Sequence, residues 1–281
     1  MPLVSLVGAP WDGSSSFQRG AAEAPPLIRA ALRSPSSNSW NERGDDLSAD
    51  GVLADAGDID LNDRDAAEAR QAIERSVRSI IQSGRRPLVL GGDHSITYSV
   101  LRAFTWREGQ TEPPAPAHGA REPLTVLHLD AHADLYDQFE GDRFSHASPF
   151  ARVMEERLAG RLIQVGIRTL NAHQRSQAAK LGVEILGAER WREAIALVGR
   201  LRGPLYVSLD LDVLEPMLAP GLSHPEPGGL SVRDVLEVLF AIRVPLVGAD
   251  VVEYNPRNDI RDLTARVAAK FVKELVGVMR R

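Results

Sequence analysis

Residues 124–134 read LTVLHLDAHAD, and this stretch decides the fold. Leu124–Leu129 is an apolar run of strand length, the pattern of a strand buried on both faces of a parallel sheet. It then gives way to Asp130, His132 and Asp134 at alternate positions. Side chains two apart in an extended strand point to one face, so the three converge. Strands disfavour aspartate, so a buried strand ending this way calls for a chemical reason. The construction recurs twice: RPLVLGG (86–92) leads into Asp93 and His94, and PLYVSL (204–209) into Asp210 and Asp212.

Working outward, further strands are expected at Leu3–Gly8, Val52–Ala56, Leu162–Val165, Val183–Leu186 and Val244–Val251. Helical periodicity fills most of the gaps. Residues 63–83 place Ala66, Ala69, Ile73, Val77, Ile80 and Ile81 on one face before the stop signal of Gly84, and a second helix is expected from Ser95 to Trp106. The last helix carries Ile260, Leu263, Val267, Phe271, Leu275 and Met279 as a stripe and ends in Arg280 and Arg281, which suit the negative end of its dipole. Strands alternating with helices give an α/β fold with a parallel sheet covered on both faces. The Pro-rich stretch 109–123 reads as a surface loop, and residues 1–281 as a single domain.

Composition removes the competing classes. The 281 residues are 43% hydrophobic and 25% charged, too apolar for a disordered chain. There are no cysteines, which excludes disulfides, thiolate nucleophiles and iron–sulfur clusters. The net charge of −5, from 33 Lys+Arg against 38 Asp+Glu, argues against nucleic acid as a partner. No apolar run approaches the roughly 20 residues that span a bilayer, so no membrane partner is expected. Met1–Pro10 lacks a basic segment before its short apolar run and reads as a first strand, which makes a cytoplasmic protein the expectation.

Ligands bind beyond the carboxyl ends of the strands in an open parallel sheet. There the sequence collects His94, Asp130, His132, Asp134, Asp210 and Asp212. A lone Asp-x-Asp is usually a solvated turn, and GGDHS alone can simply cap a helix. Four carboxylates packed together, however, repel strongly and cannot all ionise without a counter-charge. Two divalent cations supply it. Hard oxygens with two imidazoles suit Mn²⁺ best, with Co²⁺, Ni²⁺ and Zn²⁺ also possible. A pair of such ions lowers the pKa of a shared water, so hydrolysis of an electrophilic carbon or phosphorus is the expected reaction class.

GGDHS (91–95), DAHAD (130–134), SLDLDVLEP (208–216) and VVEYNP (251–256) stand in an order and spacing that resemble the ureohydrolases, the arginase/agmatinase family. The resemblance covers nearly the whole chain, from GAPWDGSSSFQRGAAEAPPLIR through YDQFEGDRFSHASPFAR to APGLSHPEPGGLSVRDVL, and several stretches look most like plant-type arginases. It implies a three-layer α/β/α fold with a parallel eight-stranded sheet, assembly into homo-trimers or hexamers, and two Mn²⁺ per chain. One ion would take His94, Asp130, Asp134 and Asp210, the other His132, Asp130, Asp210 and Asp212. His146 matches the proton-shuttle histidine, and Glu253 the carboxylate that pairs with a guanidinium. With Asp134, these are the candidate catalytic residues. Glu215 stands where the family usually has Asp, and Ala133 where Pro, Thr or Ser is commoner.

The implied reaction is release of urea from a small cationic guanidino substrate. The loop LYDQFEGDRFSH lacks the Ser-Gly-Asn pattern by which arginases hold a carboxylate, and sets Asp137, Glu140 and Asp142 against Arg143 alone. That excess of negative charge favours agmatine, giving putrescine, over L-arginine, giving ornithine. Guanidinobutyrate and formiminoglutamate are alternatives within the class. The zinc deacetylases share the general fold but need one metal site, and a catalytically inactive binding protein would be expected to lack a ligand. Of the other histidines, His118 and His173 read as surface residues, and His224 as a loop residue or one bordering the substrate entrance. His128 shares the parity of Asp130, as a core histidine or a partner of the ligands.

Overall fold

The computed structural model describes residues 3–105 and 123–281. Eight strands form one parallel sheet in the order β2-β1-β3-β8-β7-β4-β5-β6. They are β1 (Val4–Ala9), β2 (Leu53–Asp58), β3 (Arg86–Gly91), β4 (Thr125–Leu129), β5 (Arg161–Ile167), β6 (Glu184–Gly187), β7 (Leu205–Asp210) and β8 (Leu246–Val252). Every strand expected from the sequence is present. Helices α2 (Ala66–Gln82), α3 (Ile96–Thr105), α4 (Pro149–Glu155) and α5 (Ala172–Leu181) contribute to one apolar layer. Helices α1 (Ala24–Leu32), α6 (Trp191–Val198), α7 (Val232–Phe240) and α8 (Leu263–Met279) contribute to the other. The result is the three-layer α/β/α arrangement.

Local chemistry accounts for the boundaries. Asp65 accepts from the backbone N–H of Ala67 and Glu68 while Glu68 reaches back to Asp65, a capping box that starts α2 three residues into the expected 63–83 run. At its far end Gly84 adopts φ 76°, the left-handed stop its sequence position suggested. Three expectations shift. The Val183 N–H is spent on Ala178 O at the end of α5, so β6 begins at Glu184. Pro245 has no N–H for the ladder, and β8 begins after it at Leu246. Ile260 is 62% exposed and precedes α8 rather than joining its stripe. Trp106, His118 and all but the last residue of the loop 109–123 lie outside the described residues. No helix among the described residues is long and apolar enough to cross a membrane.

The central strands β3, β8, β7 and β4 are neighbours in the sheet although far apart in the chain. Their carboxyl ends deliver Asp93–His94, Glu253, Asp210–Asp212 and Asp130–Asp134 to one place.

Candidate metal centre and active site

His94 leaves β3 fully buried. Its Nε2 is hydrogen-bonded to Ser208 Oγ at 2.9 Å, and that hydroxyl donates to Asp250 Oδ1 at 2.7 Å. The single Ser208 proton is therefore used, Nε2 must carry the imidazole hydrogen, and the Nδ1 lone pair is free. Nδ1 lies 3.1 Å from Asp130, 3.2 Å from Asp134 and 3.0 Å from Asp210, yet makes no hydrogen bond. A buried nitrogen lone pair facing three carboxylate oxygens suits a cation in a way that it suits no neutral partner.

The second cluster shares Asp130. His132 Nδ1 lies 2.8 Å from Asp212 and 3.5 Å from Asp130. Asp212 is held by the Ala131 N–H at 3.0 Å, and Asp210 accepts from the Asp212 N–H at 2.8 Å. Among the described residues, the two groupings able to hold a metal ion are thus His94 with Asp130 and Asp134, and His132 with Asp130 and Asp212. His128 lies within the first by distance, but its chemistry differs. Gln164 Nε2, which also donates to Ala133 O, donates to His128 Nδ1 at 3.0 Å. His128 must then donate from Nε2 to Asp130 at 2.6 Å, orienting that carboxylate instead of offering a lone pair. Its parity with Asp130 pointed to such a role.

The electrostatics agree. Burial, with Asp212 and Asp130 alongside, pushes the Asp210 carboxyl well up. Burial alone would lower both cluster histidines, but carboxylates on every side win: His94 is raised well above its ordinary value and His132 is pushed up to about 12. The strand ends gather positive charge because they hold an excess of negative charge. Divalent cations meet that demand without protons.

Above the clusters opens a cavity of about 330 Å³, lined among others by His132, Asp134, Asp212, His146 and Glu253. His146 Nε2 is hydrogen-bonded to Ser16 Oγ at 2.9 Å, and its Nδ1 lies 3.7 Å from Glu253 Oε1. Burial would lower His146, but Glu253 overcomes it and raises the imidazole to about 9. Glu253 accepts from the His94 N–H at 2.7 Å, tying it to the first cluster. Asp134 and Glu253 both sit at positive φ, 51° and 64°, a region that L residues enter at a cost and that is found disproportionately at functional sites.

Six of the eight sequence candidates line this cavity, and His94 and Asp130 lie buried against their carboxylates and imidazoles. Three participants were not singled out in the sequence. Ser208 shares the parity of Asp210, and Asp250 is a lone acid in an apolar strand; both were legible in principle. Ser16, in a run of three serines, was not. The alternative reading of His224, at the substrate entrance, agrees with its place on the cavity wall, where it stacks on His146 at 4.7 Å and 24°. The acidic-loop expectation fails here. Asp137 pairs with the exposed His173 at 3.1 Å, Arg143 with Glu155 at 3.1 Å, and Asp142 accepts from the Phe144 N–H. Tyr136 and Phe139 line the cavity, and the three acids do not.

A parallel α/β fold with paired His/Asp clusters at its strand ends defines a metal-site hydrolase architecture. The sequence model of the Arginase family matches residues 3–277, and the chain belongs to that family of amidinohydrolases acting on guanidino compounds. It is 44% identical to Arginase 1, mitochondrial, of Arabidopsis thaliana over 97% of this chain and 80% of that protein. It is 33% identical to a guanidinopropionase of Pseudomonas aeruginosa over 98% of this chain and 86% of that one. Among solved structures, the arginase from Medicago truncatula superposes with a TM-score of 0.89 at 41% identity, covering 99% of this chain and 87% of that chain.

Proposed function

We propose that this chain is a Mn²⁺-dependent arginase, converting L-arginine and water to L-ornithine and urea. His94 Nδ1 with Asp130, Asp134 and Asp210 would hold one ion, and His132 Nδ1 with Asp130, Asp210 and Asp212 the other. When bound, two such ions would supply Lewis acidity and lower the pKa of a bound water. The remaining work falls to the chain. Glu253 accepts two N–H bonds from the planar guanidinium and orients its carbon. Water adds to that carbon, the bond to the alkyl nitrogen breaks, and His146, held by Ser16 and Glu253, gives the departing amine its proton. Asp134 flanks the same carbon from its strained position.

The observation that carries the arginine reading is the 44% identity to plant arginases over 97% of this chain, against 33% for a guanidinopropionase and for a chicken mitochondrial agmatinase. The charge argument for agmatine has lost its basis, since Asp137, Glu140 and Asp142 do not line the cavity. Urea release by Mn²⁺-loaded protein decides. A kcat/KM for L-arginine at least tenfold above that for agmatine is expected, and the reverse order overturns the substrate assignment.

A further inference from the structure

The outer wall of the cavity includes a short segment that the catalytic chemistry does not use, His224-Pro225-Glu226-Pro227-Gly228-Gly229. Five carboxylates line the cavity: Asp134, Asp210, Asp212, Glu226 and Glu253. Four are buried at its base. Glu226 is half-buried, and its carboxylate makes no ion pair or hydrogen bond among the described residues. A carboxylate held over a cavity without a partner is available to a ligand.

The backbone beneath it is rigid. Prolines on either side fix φ near −65°. Arg168 sends no bond to any carboxylate among the described residues; its guanidinium donates to backbone oxygens on both sides of a seam. Nη2 donates to Asp212 O at 2.7 Å and to Glu226 O at 2.5 Å, and Nε to Pro227 O at 3.2 Å. From the opposite side Glu215 Oε2 accepts from the N–H groups of Gly228 at 2.8 Å and Gly229 at 3.0 Å. A Cβ on Gly229 would lie 2.3 Å from the Leu214 carbonyl carbon, so only glycine allows this contact. The turn that carries Asp212 and the segment that carries Glu226 therefore move as one piece. Glu215, the departure from the family signature, is half of that clamp.

Thr169, Tyr136 and Gln174, which line the same cavity, carry no charge. A carboxylate without a partner on the wall of a cavity fits an ammonium group. We propose that Glu226, preset by Arg168 and Glu215, is the specificity residue that takes the substrate's ammonium, selecting amine-bearing guanidino compounds over those lacking it. This rests on the guanidino amidinohydrolase reading of the site below.

The test compares L-arginine with 5-guanidinopentanoate, which is arginine without its α-ammonium. Each is scored by KM where it turns over and by competitive Ki where it does not. Wild-type protein should favour L-arginine, and Glu226→Gln should reduce that preference at least tenfold through KM, with kcat for L-arginine changed far less. Glu226→Asp, which keeps the charge, should retain most of the preference, which a merely structural role would not predict. A preference that stays within threefold in Glu226→Gln overturns the assignment while leaving the arginase reading intact. Wild-type protein that favours agmatine overturns the arginine reading alone, and the same comparison then runs against N-butylguanidine. Wild-type protein that favours 5-guanidinopentanoate overturns both.

Discussion

The two clusters share Asp130 but differ in how they are built. Around His94 nothing is left to chance: the side chain is 1% exposed, its tautomer is fixed by Ser208, and Ser208 is fixed by Asp250, which also accepts from Thr97 and Tyr206. The His132 side chain is 27% exposed, meets the cavity, and has its Nδ1 held by the carboxylates of Asp212 and Asp130. The inner half is preorganised by a hydrogen-bonded network, which favours retention of an ion. The outer half is open, which favours exchange and access to substrate.

The largest effect should come from abolishing the contrast altogether. Asp130→Asn removes a ligand from both halves, so kcat/KM should fall by more than the roughly 10–100-fold typical of residues that merely support a metal ligand. Metal analysis after dialysis should find less than one ion per chain, and two retained ions would show that Asp130 is not shared. A smaller effect should make the halves alike. Ser208→Ala frees the His94 tautomer and should weaken the inner ion by about 10–100-fold in a calorimetric Mn²⁺ titration, with excess Mn²⁺ restoring turnover. Unchanged affinity for both ions would mean that the network is packing only.

The smallest effect lies outside both halves and sets the scale for ordinary charge pairing. Glu42 takes a bidentate contact from Arg233 and a third from Lys270, which together hold its carboxyl down at about 2 from an ordinary 4.5. A depressed folded pKa contributes stability above the unfolded value and loses it as pH falls towards the folded one. With the side chain one-third exposed, solvent screening leaves about 1 kcal/mol. Glu42→Gln should cost that much in unfolding free energy at pH 6, the gap narrowing below pH 4.5, with no change in metal content. A gap that persists at low pH would point to packing instead of charge.

The inner part of the site was legible in the sequence because buried strands are simple. Apolar runs marked the strands, and alternation put Asp130, His132 and Asp134, like Asp210 and Asp212, on common faces. Parity also reached His128. The outer wall was opaque for an equally physical reason. A loop has no period, so counting its charges says nothing about where they point. Tyr136 and Phe139 line the cavity while Asp137 pairs with His173 outside it. The apolar patterns likewise missed where a proline or a spent N–H ends an element, as at Pro245 and Val183. His224 was legible as a residue near the entrance but its stacking on His146 was not, because only tertiary packing brings the two rings together.

Asp134 and Glu253 carry one more consequence. Each is an L residue in left-handed backbone, at a cost of about 1 kcal/mol or more that glycine would not incur. A population of variants screened for heat resistance alone, with no demand for turnover, should therefore accumulate glycine at these two positions, and the catalyst would be lost as the scaffold improved.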